Sequence, residues 1–208
     1  MAVVARIHAE INNEAAMRTH FYALTGCLEP NSVVPPPEPH EKLRFLAQFT
    51  SSAELSTTPE GPEAPPPDII QSVQLARRAD AKGKRGFGLR FLPDAAVANM
   101  QSHCSRRSIS RFAPDPYEPH DSLWNEGHCN IWIESFAEAL TAQHYSFCNA
   151  NPKFADPARR GDLRAMYYHI AHYSQAERTR QKVSVPGVTQ KRALLDASRR
   201  GRERVRGC

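Results

Sequence analysis

Apolar residues recur at close to helical spacing over residues 2–25, and polar residues fill the other side of the pattern. Gly26 follows at the position where a glycine commonly ends a helix. The pattern predicts a helix over 2–25 whose apolar stripe packs on the main domain. The apolar positions are Val3, Val4, Ile7, Ile11, Ala15, Met17, Phe21, Tyr22 and Leu24.

Similar spacing predicts further helices downstream. The clearest covers residues 131–147, with Asn130 in the N-cap position that asparagine favours. Residues 105–129 are rich in Pro, Asp, Ser and Gly, so we expect a loop there that folds Trp124 back onto the core. The other predicted helices cover residues 40–49, 68–81, 94–104 and 162–173.

Prolines are concentrated in one segment. Ten of the 17 fall between Pro30 and Pro67, including two Pro-Pro-Pro triplets, which is typical of a stiff, exposed spacer. We therefore predict a mainly α protein, an irregular helical domain of about four to six helices with a proline-rich linker and a basic tail. The predicted divisions are an N-terminal helix docked on the core (1–29), the linker with a short helix (30–67), the helical core domain (68–173) and a basic tail, partly helical or disordered (174–208).

The sequence shows neither a membrane span nor a secretory signal. It has no run of about 18 uncharged apolar residues, and its first residues lack the charged and apolar regions of a signal peptide. The five cysteines are odd in number and scattered, unlike a secreted disulfide framework. We expect a reducing compartment, nucleus or cytoplasm, and no membrane partner.

Charge is distributed unevenly along the chain, whose formal net charge is +5. Residues 1–70 hold 4 Lys or Arg against 9 Asp or Glu, whereas residues 174–208 hold 10 against 3. A basic segment of this kind neutralises phosphates and releases their counterions, which gives salt-dependent affinity without base specificity. Arginine adds bidentate phosphate contacts.

Binding of nucleic acid through its phosphate backbone is therefore the leading functional hypothesis. The tail would carry most of the binding and the basic loop over residues 82–85 would add to it, while DNA versus RNA stays open. Alternatively, the tail is a nuclear import signal or a solvated, protein-binding end. The candidate nucleic-acid-binding residues are Lys82, Lys84, Arg85, Lys191, Arg192, Arg199, Arg200, Arg202, Arg204 and Arg206.

Two alternatives come from other classes of protein. The first is a protein-interaction adaptor that uses the proline-rich segments and the amphipathic N-terminal helix. The second is a zinc-stabilised module, because His-Cys pairs and a His and a Cys four residues apart could supply a tetrahedral site. Its candidate ligands are Cys104, His128, Cys129, His144 and Cys148, which lack zinc-finger spacing.

No catalytic motif is present, so we do not expect an enzyme. The sequence contains no phosphate-binding loop, dinucleotide fingerprint, zinc-protease helix or nucleophile elbow. The single candidate nucleophile is Cys129, because the predicted helix 131–147 would place it at a helix N-terminus, where the pKa of a thiol falls.

The region from Tyr117 to His172 has a distinctive texture. It combines Tyr-Glu-Pro-His-Asp-Ser-Leu-Trp-Asn-Glu, a helix rich in Phe and Leu, and Leu-Arg-Ala-Met-Tyr-Tyr-His-Ile-Ala-His. Together with the Arg-rich end, it resembles uncharacterised helical proteins of basidiomycete fungi. The resemblance implies an intracellular helical protein of unassigned role.

Overall fold

The computed structural model of the protein describes residues 2–29, 32–56 and 72–173, without the side chains of residues 2–11 and Asp80. Within these ranges the protein is mainly helical and has no β-strand, as predicted. Seven α-helices lie wholly within them: α1 (Ala2–Thr25), α2 (Pro39–Gln48), α3 (Ser52–Ser56), α4 (Gly83–Gly86), α5 (Asp94–Ser105), α6 (Leu123–Thr141) and α7 (Arg160–Tyr167). A 3-10 helix (Phe87–Phe91) follows α4 directly, and a π-helix (Tyr168–Tyr173) follows α7.

Helix α6 is at the centre of the fold. Thirteen of its 19 residues are buried, as in a helix enclosed by others, and α1, α2, α3, α5 and α7 all contact it. Trp124 of α6 packs edge-on against Phe45 of α2, with 5.2 Å between ring centroids. Gly127 permits this approach, because a Cβ at that position would lie 2.4 Å from the Phe45 ring.

A chain of buried hydrogen bonds ties α1 to α6. Ser135 Oγ donates to the Ile131 carbonyl at 2.7 Å, so it accepts from His20 Nε2 at 2.8 Å. His20 Nδ1 is then the acceptor for the Tyr145 hydroxyl at 2.5 Å. These bonds assign a neutral imidazole with its proton on Nε2. Burial, and then the nearby His103, lower the pKa of His20 to about 3.

The N-terminal half of α6 fixes the segment before it. His128 Nδ1 donates to the Trp124 carbonyl at 2.8 Å, and His128 Nε2 accepts from the Ala113 amide at 3.2 Å. The Trp124 indole donates to the Ala113 carbonyl at 2.9 Å. The side-chain amide of Asn125 accepts from the Asp115 amide and donates to the Asp115 carbonyl. Residues 113–115 are therefore buried without being helical, because side chains of α6 satisfy their backbone groups.

The boundaries of α6 differ from the sequence-based prediction of a helix over residues 131–147. Ser122 caps the helix, accepting from the Asn125 amide, and Asn130 lies inside it. The helix ends at Thr141, and Gln143 takes a positive φ of 58°. Residues 142–145 therefore form turns after the helix, and a short 3-10 helix (Ser146–Cys148) follows them.

The predicted helix over 68–81 was wrong for residues 73–81, although Ser72 is helical. Gln74 donates from its amide to the Ser110 carbonyl at 2.7 Å, and Ala76 donates to the Ala23 carbonyl at 2.9 Å. The Ala23 carbonyl is one of those that the end of α1 leaves without a helical partner. These contacts hold residues 74–77 extended, and only Arg78–Asp80 forms a short 3-10 helix.

The described part of the proline-rich segment is packed, unlike the exposed linker that we expected over 30–67. Phe45, Phe49 and Glu41 of this segment are buried, whereas Leu43 is 69% exposed. Glu41 Oε1 accepts from the hydroxyl of Ser110 at 2.9 Å and from that residue's amide. Because Glu41 and Phe45 occupy the buried face of α2, its leucines face outward. Residues 57–67 lie outside the described residues.

Helix α1 coincides with the predicted helix 2–25, and Gly26 follows it with a φ of +70°. Of its described side chains, Met17, Phe21 and Leu24 are buried in the core. None of the helices in the described ranges is long and apolar enough to cross a membrane.

Candidate nucleic-acid interface

A groove of about 430 Å³ lies between α1, the segment 82–91 and the turn after α6. This volume falls in the range of about 300–1,000 Å³ that is usual for ligand sites. We call it the basic groove. Its lining residues are Ala15, Arg18, Thr19, Tyr22, Lys84, Arg85, Phe87, Gly88, Phe147 and Cys148.

Close contact with α1 holds the segment 82–91 in place. A Cβ on Gly88 would lie 2.4 Å from Thr19 Oγ1, so a glycine is needed for the 3-10 helix to approach α1 this closely. Arg90 donates from Nε to the Ala81 carbonyl at 3.1 Å, which closes the segment on itself. One wall of the groove is thus a backbone fixed against the longest helix.

Cations lie on two sides of the groove, on α1 and on the segment 82–85. Lys82 and Lys84 are exposed and form no ion pair with the described part of the chain. The Arg85 guanidinium lies 5.4 Å from the Tyr22 ring centroid and donates to the Glu29 carbonyl at 2.6 Å. These contacts position Arg85 without neutralising its charge. Arg18 is the exception, since it pairs with Glu14 at 2.7 Å.

Exposed aromatic rings stand beside these cations. Phe87 is 57% exposed and Phe91 is 50% exposed, and their ring centroids are 5.1 Å apart. Phe91 also stacks on Phe147 with 5.4 Å between centroids and 27° between ring planes. The three rings form a continuous aromatic patch, which we call the phenylalanine stack. Such a patch beside unpaired lysines suits a planar, anionic ligand.

The structure brings together some of the residues proposed from sequence. Lys82, Lys84 and Arg85 gather at or beside the basic groove. The tail candidates, residues 191–206, lie outside the described residues. Sequence reasoning missed Arg18, Tyr22 and the phenylalanine stack. The local alternation of basic residues with Phe87 and Phe91 was a usable signal, but nothing in the sequence links Phe147 to them.

The proposed zinc ligands do not form a metal site. No group of three or more His, Cys, Asp or Glu residues in the described ranges could hold a metal ion. His128 uses both ring nitrogens on backbone groups. His144 and Cys148 follow the end of α6, so they do not share a helical face, and Cys148 Sγ donates to the Tyr145 carbonyl at 3.2 Å.

The thiol of Cys129 is not activated as the sequence suggested. Because α6 begins at Leu123, Cys129 lies well inside the helix and is fully buried. Burial raises the pKa of the Cys129 thiol to about 12, and burial likewise raises the pKa of Cys104 to about 12. Buried thiols of high pKa are poor nucleophiles and behave as small apolar side chains.

The chain matches no protein-family model, and no match to it was found among curated proteins or among solved structures. The basic groove and the composition of the chain are therefore the features that bear on its function.

Proposed function

We propose that this protein binds nucleic acid through the phosphate backbone, with the basic groove and the arginine-rich tail 174–208 as its two contact surfaces. The observation that carries the proposal is the set of cations around the groove, of which Lys82 and Lys84 have no carboxylate partner in the described chain. Phosphates supply the charge that this surface lacks. The tail composition is also that of a nuclear import signal, so the proposed location is the nucleus or the cytoplasm.

An adaptor function has less support from the described residues. The apolar stripe of α1 was the surface proposed for a partner, yet Met17, Phe21 and Leu24 are already covered by the protein's own core. Of the two proline triplets, the first packs partly against the fold and the second lies outside the described residues. The basic groove is a better-defined surface than either.

Replacing both lysines should weaken binding and reduce its salt dependence. We expect full-length K82Q/K84Q to lose affinity for labelled oligonucleotides by about tenfold at low salt, with a slope of log affinity against log salt shallower by about two. Fluorescence anisotropy across a salt series measures both quantities. A matched control is R106Q/K153Q, which removes two exposed cations that do not line the groove.

The control should keep nearly the whole salt slope. Equal losses of affinity in the two double variants would mean that binding follows the overall charge of the protein and not a site at the groove. The absence of binding by the unaltered protein at low salt would overturn the proposal entirely.

A further inference from the structure

We infer that the basic groove selects single-stranded nucleic acid, with bases stacked on the phenylalanine stack and phosphates following the lysines. The inference rests on the proposed function and specifies its ligand. Charge alone would attract duplexes, single strands and acidic peptides alike. The exposed rings are the feature that distinguishes among these ligands.

The phenylalanine stack offers ring faces that its own packing does not use. Phe87 meets Phe91 at 61° between planes, so the two rings touch edge to face, while Phe91 and Phe147 lie nearly parallel. Half or more of the surface of Phe87 and of Phe91 remains open to solvent. Single exposed apolar residues are common on protein surfaces, but a contiguous exposed aromatic patch at the edge of a groove marks an interaction site.

Single strands can use such a patch and duplexes cannot. Unpaired bases present both faces for stacking on aromatic side chains, whereas in a duplex the faces are covered by neighbouring base pairs. Stacking of this kind contributes about 1–3 kcal/mol per base and tolerates any base. The groove should therefore prefer single strands with little sequence preference.

Rings and cations lie side by side at the groove. Lys84 and Phe87 are three residues apart and both line the groove, so the groove offers a cation and an exposed ring to the same ligand. Arg85 lies on the same segment, held over Tyr22. An acidic peptide would satisfy the lysines but would leave the rings uncovered.

The test compares full-length protein with its F87A/F91A variant on a single-stranded oligonucleotide and on a duplex of the same length. We expect the unaltered protein to bind the single strand more tightly. The F87A/F91A variant should lose about tenfold or more in single-strand affinity, while its salt slope and its duplex affinity stay unchanged. The matched control is Y117A/Y173A, which removes two aromatic residues that are 68% and 60% exposed outside the groove.

A second variant covers the case in which the alanine variant unfolds. F87W/F91W keeps large rings, so it should retain or strengthen single-strand binding. Equal affinity for the two nucleic acids, equal loss in both with F87A/F91A, or equal competition by polyglutamate would overturn the inference while leaving phosphate binding intact. Failure of the unaltered protein to bind either nucleic acid would instead overturn the proposed function.

Discussion

Lowering the pH from 7 to 4 should destabilise the folded protein by about 4–7 kcal/mol, because two buried imidazoles are held neutral. The pKa of His128 is lowered to about 4 and that of His20 to about 3, in each case mainly by burial. In the unfolded chain both groups titrate near their usual pKa of about 6.5. The unfolded state therefore binds more protons, and stability is lost as the pH falls from about 6.5 towards the folded values.

The hydrogen bonds explain why protonation of His128 is unfavourable. Its Nε2 accepts from the Ala113 amide, a group that can only donate, so a proton on Nε2 would face another N–H. The burial of the ring also leaves no water to solvate the charge. Protonation of His128 should thus release the segment before α6 as well as destabilise the helix itself.

Chemical denaturation at a series of pH values measures this effect. Between pH 6 and pH 4.5, the free energy of unfolding should change by up to about 2.7 kcal/mol per pH unit, the slope for two protons. H128N keeps a donor for the Trp124 carbonyl but cannot titrate. Its free energy of unfolding should therefore depend less steeply on pH, by the contribution of one titrating group. A free energy of unfolding that stays flat over this range would contradict the burial of neutral His20 and His128.

Trp124→Ala should destabilise the protein by about 3–5 kcal/mol. The side chain is fully buried, and its indole donates to the Ala113 carbonyl. Its ring centroid lies 4.5 Å from that of His128. Its removal leaves a cavity beside Phe45 and an unsatisfied buried carbonyl, and both effects lower stability.

Thermal and denaturant unfolding of W124A and Y117A test this expectation. Tyr117 precedes α6 in the same segment but is 68% exposed, so Y117A should change stability by no more than about 0.5 kcal/mol. Equal, small effects of the two substitutions would show that α6 does not organise the core as described.

The sequence predicted the bounds of a helix correctly where a local signal marks the end of that helix. Helix α1 combines an apolar stripe with Gly26, and both cues are local. The start of α6 was missed, because Gly127 and buried polar residues interrupt its apolar pattern. These residues are explained by contacts with distant parts of the chain: Gly127, for example, makes room for the ring of Phe45. The orientation of α2 could not be predicted from the sequence, since buried Glu41 accepts a hydrogen bond from Ser110, which no local rule anticipates.

Of the candidate site, only the cations could be predicted from the sequence. The cations over residues 82–85 are adjacent in sequence, so composition alone identified them. The phenylalanine stack needs Phe147, which the sequence predicted as the last residue of a longer helix over 131–147. Because α6 ends at Thr141, Phe147 instead turns towards Phe91.

The location of bound nucleic acid is the most direct test of the account. Full-length protein would be photo-crosslinked to a single-stranded oligonucleotide that carries 5-iodouracil, and the attached peptides identified by mass spectrometry. We predict crosslinks at Phe87, Phe91 or Phe147, with F87A/F91A reducing them. Crosslinks confined to residues 174–208, or absent from both regions, would contradict the assignment of the basic groove as a nucleic-acid-binding site.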